Sequence, residues 1–219
     1  MTPGSASAPL VLLASRSPRR RELLDAAGVA YIARHPGIDD TMLQAGVAPP
    51  EHYAAGLAYL KADAAIRHNV FAAQEIARAA WVLGADTAVV KGSLLIGTPR
   101  DEADAERIIR LLSDGVHDVV TGVALVRPVA ASAHVGASNG ETAPARRVLL
   151  VDRARVQVGA LSEAQIREYL ASGLWQGKAG AYNLAERLKA GWPIEYQGDP
   201  GTIMGLPTRK LVPLLSRLG

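Results

Sequence analysis

Residues 10–24 read LVLLASRSPRRRELL, and few local structures satisfy that string. Residues 10–14 are a short apolar run; a Ser-rich turn follows, and then a helical pattern begins. Ser17 stands at the N-cap position, Pro18 suits the first helical position, and Leu23, Leu24 and Ala27 supply an apolar face. Arg19 and Arg20 then fall in the first turn. A helix N-terminus carries positive partial charge, so a cation there costs roughly 0.3–1 kcal/mol. Free backbone N–H groups and two guanidinia make the same place an anion site. The string predicts a strand, a turn and a helix start shaped for phosphate; a solvated basic helix start is the plainer alternative.

The rest of the chain leaves room for one such domain. At 219 residues with 49% hydrophobic content, it suits a single compact α/β domain or two small lobes. Lys and Arg number 24 against 21 Asp and Glu, a balance of +3 that does not suit a dedicated nucleic-acid binder but tolerates a small anionic ligand. There is no cysteine, which excludes disulfides and Cys-based zinc sites. The first residues lack a basic segment, and no stretch approaches the ~20 apolar residues of a membrane span. The expectation is a cytoplasmic protein without a membrane or a stable nucleic-acid complex.

Residues 1–9 read as a disordered lead-in. Strands are predicted at 10–14, 81–84, 87–91, 118–126 and 147–158, and helices at 18–27, 50–68, 70–80, 101–112, 162–171 and 206–217. Ala105, Ile108, Ile109 and Leu112 form one helical stripe. Ser162 and Gln165 have capping-box spacing, and Gly173 ends that helix. Strands and helices alternate early, and the two long central strands predict an antiparallel hairpin. The sum is an α/β sheet with an antiparallel portion. Residues 127–147, rich in Ala, Ser and Gly without periodicity, read as a long mobile hairpin loop.

Several residues carry chemistry or mimic it. Asp86 ends an apolar run after Gly84, where open α/β sheets bind ligands and where a carboxylate suits magnesium and phosphate; a turn aspartate between two strands is the alternative. Lys61, within LAYLKADAAIRH, reads in isolation as a solvated lysine. Lys178 lies in a Gly-rich turn whose N–H groups can gather around an anion, although Ala179 breaks the P-loop frame. Residues 136–140, GASNG, match G-x-S-x-G without the strand and helix that a nucleophile elbow needs. The five histidines show no metal-ligand spacing.

Taken in order, these segments resemble the Maf family of nucleoside triphosphate pyrophosphatases. The matching stretches are LLASRSPRRRELL (12–24), GIDD (37–40), LAYLKADAA (57–65), GADTAVV (84–90), TPRDEADAERIIRLLS (98–113), TGVALV (121–126), LSEAQIREYLASG (161–173), GKAGAYNL (177–184) and GLP (205–207). They cover nearly all of residues 10–217. The resemblance implies that 10–219 form one domain: a two-lobed mixed sheet with flanking helices around a central cleft, of the inosine-triphosphatase-like type. It implies hydrolysis between the α and β phosphates of a nucleoside triphosphate with a divalent metal, Mg²⁺ first and Mn²⁺ or Co²⁺ as further oxygen-loving ions. Asp86 would be the catalytic carboxylate, as general base or metal ligand, and Asp40 would share the metal. Arg19, Arg20 and Lys61 would hold the triphosphate, Ser15 and Ser17 would line the loop, and Lys178 would close over the phosphates. Arg19 and Thr87 match specificity positions of the dTTP/UTP branch. A homodimer is implied by the resemblance alone.

Three departures touch base recognition. Thr98 stands where that branch has lysine, Ala185 stands where it has glutamine, and residues 187–207 differ from its usual run. A site built on a polar base contact discriminates sharply, and losing the contact redirects the choice. The leading expectation is a pyrophosphatase of dTTP and UTP or of modified nucleotides. The runner-up is a nucleotide-binding regulator of cell division or septum formation with little turnover.

Overall fold

The computed structural model describes residues 10–38, 48–127 and 146–218. The lead-in, Asp40, and the G-x-S-x-G stretch with most of its loop lie outside the described residues. In chain order the elements are β1 (Val11–Ala14), α1 (Pro18–Ala26), β2 (Tyr31–Arg34), α2 (Pro50–Arg67), α3 (Ala73–Arg78), β3 (Trp81–Lys91), β4 (Leu94–Ile96), α4 (Glu102–Leu112), β5 (Gly115–Val126), β6 (Arg147–Val158), α5 (Glu163–Ala171), α6 (Leu184–Lys189), β7 (Ile194–Gln197), α7 (Pro200–Met204) and α8 (Thr208–Leu218). A single 3-10 turn at Ala179–Ala181 precedes α6.

The strands form one seven-stranded mixed sheet in the order β2-β1-β3-β5-β6-β7, with β4 paired to β3. β1 runs parallel to β2 and β3, while β3, β5, β6 and β7 are successively antiparallel. The predicted central hairpin is β5–β6. The two short strands expected at 81–84 and 87–91 are one 11-residue strand, because Gly84, Asp86 and Thr87 continue the ladder with β5 rather than turning. The short strands β2, β4 and β7 and the helices α6 and α7 escape sequence patterning, since each is too brief to show a period.

One edge of β3 is shared. β1 pairs with Trp81–Leu83 and β4 pairs with Val89–Lys91, so no described strand flanks residues 84–88 on that side. The opening lies beyond the carboxyl end of β1, where α/β sheets place ligands.

α2 lies directly on the sheet at that level. Ala54, Leu57, Ala58, Ala62 and Ala65 form its buried stripe. The contact is backbone on backbone: a Cβ on Gly84 would meet the Ala58 carbonyl oxygen at 2.0 Å, and one on Gly122 would meet Ala54 at 2.4 Å. Gly84 and Gly122 are glycine because the helix occupies the space a side chain would need.

The opposite face carries two separate apolar clusters. Val11, Leu13, Leu24, Leu83, Leu206, Leu211 and Leu215 join α1 and α8 to the β1 side. Val89, Ile108, Ile109, Val156, Ile166 and Trp192 join α4, α5 and α6 to the far side. Each such fully buried aliphatic side chain contributes about 1.5–3 kcal/mol. Among the described residues no helix is long and apolar enough to cross a membrane.

Candidate active site

The open stretch of β3 carries Asp86 on one face and Thr87 on the other, by strand alternation. Asp86 faces α2, where Lys61 Nζ donates to its Oδ1 at 2.6 Å, with both side chains largely buried. The isolated reading of Lys61 as a solvated lysine is therefore corrected. Lys61 stands seven residues after Ala54 and three after Ala58, on the buried stripe itself. That stripe was visible in the sequence, and a lysine on it was the available signal. Asp86 is corrected as well: it sits in mid-strand and not at a turn, and the strand that ends at the cleft is β1.

α1 begins beside this opening. Ser17 occupies the N-cap, but its side chain makes no capping bond. Instead Ser15 Oγ accepts from the Ser17 N–H at 3.2 Å and from Arg20 Nη1 at 3.1 Å. Arg20 also donates to the Gly205 carbonyl at 2.9 Å and to Thr87 Oγ1 at 3.4 Å. It thus ties α1 to β3 and to the Gly-Leu-Pro segment. Arg19 is held more loosely, reaching the Gly177 carbonyl at 3.4 Å across the cleft. Burial holds its pKa below the usual guanidinium value, opposed by Glu186 and Glu22.

Gly177 precedes Lys178, whose ammonium pairs with Glu186. Burial lowers the Lys178 pKa, and the Glu186 contact pulls it back. Asn183 caps the next helix. Its Oδ1 accepts from the Glu186 N–H at 3.1 Å and caps α6, which turns Glu186 toward Lys178. Ala185 and Thr98 are exposed. The Gly180 N–H donates to the Gly97 carbonyl at 3.0 Å, so the Thr98 segment and the Lys178 turn are stitched together. Asp101 caps α4 by accepting from the Asp104 N–H at 2.8 Å.

Ser15, Arg20 and Thr87 meet directly; Lys61 meets Asp86; Arg19 bridges to the Lys178 turn. Patterning missed Glu186, Thr121, Asp152 and Thr202. Thr121 Oγ1 lies 3.0 Å from Thr87 Oγ1 and donates to the Thr202 carbonyl at 2.7 Å. The one signal for it was a threonine interrupting the apolar run VVTGVALV.

Chemically, the Lys61–Asp86 and Lys178–Glu186 ion pairs with Arg19 and Arg20 beside them suit a polyanion that also needs a proton acceptor or a hard cation. That defines the class: a mixed α/β protein with basic side chains gathered beyond the end of a parallel strand. The family model described as Maf-like protein matches residues 10–218. A dTTP/UTP pyrophosphatase of Myxococcus xanthus (strain DK1622) is 39% identical over 96% of this chain and 93% of its own length. The dTTP/UTP pyrophosphatase of Caulobacter vibrioides (strain ATCC 19089 / CIP 103742 / CB 15) is 36% identical over 98% of both chains. That of Geobacillus sp. (strain WCH70) is 33% identical over 95% of this chain and 98% of its own. The chain belongs to the Maf family.

Proposed function

We propose that this protein is a nucleoside triphosphate pyrophosphatase that hydrolyses the bond between the α and β phosphates to give a nucleoside monophosphate and pyrophosphate. The observation that carries the reading is the Lys61–Asp86 pair on the open edge of β3; Arg20 reaches Thr87, the next residue of that strand, and Arg19 reaches the turn that precedes Lys178. Full-length relatives named dTTP/UTP pyrophosphatase support it.

The donor chemistry fits a divalent metal carried by the substrate. Mg²⁺ is commonly held by one or two carboxylates plus phosphate oxygens rather than by a protein cage. Among the described residues no group of three His, Asp or Glu gathers, and Asp86 is the carboxylate on the open stretch of β3. Asp86 would hold the ion, with Asp40 as the further carboxylate that family resemblance suggests. Mg²⁺, with Mn²⁺ or Co²⁺ as substitutes, would neutralise phosphate charge and polarise the phosphoryl oxygens.

The chain's own groups do the remaining work. Arg19 and Lys178 approach from opposite sides of the cleft and clamp the triphosphate. Lys61 orients Asp86 and offsets phosphate charge. The water oxygen bonds to phosphorus, the anhydride bond breaks, and pyrophosphate leaves; the water proton passes to Asp86 where that carboxylate serves as base. No covalent nucleophile is needed.

The test is a panel of standard and modified nucleoside triphosphates with Mg²⁺, scored for pyrophosphate and monophosphate. Release by the wild type that vanishes in Asp86→Asn supports the reading. Tight nucleotide binding with no release from any member overturns it in favour of the regulator of cell division. A preference for dTTP and UTP would assign the chain to the branch of its named relatives.

A further inference from the structure

A hollow of about 210 Å³ lies between α5 and α6, and the proposed reaction does not use it. Gln165, Tyr169 and the C-cap Ser172 line it from α5; Arg187 on α6 and Trp192 just beyond that helix close it. None of Arg19, Arg20, Lys61, Asp86 or Lys178 borders it.

Arg187 is buried, at 8% exposed. Its guanidinium carbon sits 4.3 Å from the Tyr169 ring centroid and 5.4 Å from that of Trp192, and the two rings stand at 74° to each other. The rings attract the charge but supply no lone pair to its N–H groups. Its Nε is buried with no hydrogen-bond partner among the described residues. Glu186, its neighbour in sequence, is paired with Lys178 instead. Buried cations are paired in folded proteins, so an orphaned guanidinium beside a cavity points to an acceptor that arrives from outside.

The polar groups around the hollow are engaged elsewhere. Ser172 Oγ donates to the Tyr169 carbonyl at 2.6 Å and accepts from the Leu174 N–H at 3.3 Å. Gln165 Oε1 accepts from the Ser162 N–H at 2.9 Å in the capping box. Glu168, an exposed residue of α5, adds a negative charge to the wall. Leu174 adds apolar surface and is 45% exposed.

We propose that this hollow binds a small monocarboxylic acid with a short apolar tail, its carboxylate on the Arg187 fork and its tail against Leu174 and Trp192. A guanidinium matches carboxylate and phosphate alike in shape. One cation with Glu168 in the same wall selects a single negative charge over the two of phosphate. Covering Leu174 favours a tail over a bare anion. The proposal is independent of the pyrophosphatase reading.

The test is a titration of the full-length ¹⁵N-labelled protein with sodium isovalerate, acetate, phosphate and chloride at equal ionic strength. The Nε–H signal of Arg187, identified by its loss in Arg187→Lys, and the backbone signals of Leu174 and Trp192 are followed. Isovalerate is expected to give saturable shifts with a dissociation constant of about 1 mM, in keeping with so small a ligand. Acetate should bind at least about tenfold more weakly for want of a tail, and phosphate and chloride should not saturate. Arg187→Lys keeps the charge but loses the fork, and should weaken isovalerate about tenfold or more. Should that variant fail to fold, Leu174→Asp, at an exposed position, must weaken it as much by removing the apolar wall and adding a like charge. No saturation with isovalerate, an equal response to phosphate, or an affinity unchanged in either variant would overturn the proposal and leave Arg187 a cation held by its rings and water. Turnover does not enter this measurement, so a protein that binds isovalerate as expected and releases no pyrophosphate sinks the pyrophosphatase reading alone.

Discussion

Lys61 Nζ lies 2.6 Å from Asp86 Oδ1, and the two side chains are only 12% and 13% exposed. The contact joins the helix that covers the sheet to the strand segment that the sheet leaves open. Asp86→Asn preserves shape but removes both the proton acceptor and the charge. Turnover should fall by at least about a hundredfold, the scale of a lost acid–base group. The fold should persist with a loss of about 1–3 kcal/mol, because Lys61 keeps a hydrogen-bond partner but not a charged one. Pyrophosphate release and urea unfolding measure the two effects. An Asn variant with most of its activity would reduce Asp86 to a structural partner of Lys61.

Arg19 and Arg20 are adjacent in sequence and unlike in structure. Arg19 makes one long described hydrogen bond, to Gly177, whereas Arg20 ties Ser15, Thr87 and Gly205 together. Arg19→Ala should weaken nucleotide binding by about 1.5–3 kcal/mol, the worth of a charge-assisted contact, and leave the melting temperature nearly unchanged. Arg20→Ala should lower both affinity and stability. Calorimetric titration and thermal melts separate them; an unchanged dissociation constant for Arg19→Ala would remove it from the anion cleft.

The legible parts of this molecule are those written in local spacing. The Ser-Pro-Arg-Arg start of α1, the stripe of α4, the capping box of α5 and the β5–β6 hairpin all depend on neighbours within a few residues or on long alternation. Lys61 is legible only through its place on the apolar stripe of α2, because lysine taken alone favours an exposed position. The contacts of Thr121, Asp152 and Thr202 are not legible. Thr121 and Thr202 meet across 81 residues and Asp152 and Thr202 across 50, and no local rule pairs them. Glu186 could not be paired with Lys178 until α6 was seen to begin at Asn183, since a six-residue helix shows no period.

Gly84 is the point where α2 and β3 touch backbone to backbone. Gly84→Ala would put a methyl 2.0 Å from the Ala58 carbonyl oxygen and 2.9 Å from the Ala62 nitrogen, neither of which can swing away as a side chain would. Overpacking of this kind costs about 1–3 kcal/mol or more. The helix must lift, and Lys61 moves off Asp86 with it. Activity should therefore fall even at temperatures where the variant is still folded, as read by pyrophosphate release beside circular dichroism. A Gly84→Ala variant of wild-type stability would show that the helix can settle elsewhere without loss.

His117 makes stability depend on pH. Its ring is buried, its Nε2 lies 2.8 Å from the Tyr182 hydroxyl, and its Nδ1 has no hydrogen-bond partner among the described residues. Burial first, then the nearby Lys91 charge, depress its pKa to about 4, with Asp118 opposing them. In the unfolded chain it titrates near 6.5. Between those values the unfolded state binds the extra proton, so stability is fully present above about pH 6.5 and is lost as pH falls toward 4. From pH 7.5 to 5 the loss from this residue should be about 2 kcal/mol. In His117→Leu that part of the slope should vanish. Its absolute stability should also drop, because the buried Tyr182 hydroxyl loses its partner, so the pH dependence and not the offset is diagnostic. Urea unfolding of both proteins at the two pH values gives the comparison, and parallel profiles would mean that the ring accepts its proton in the folded state as readily as in water.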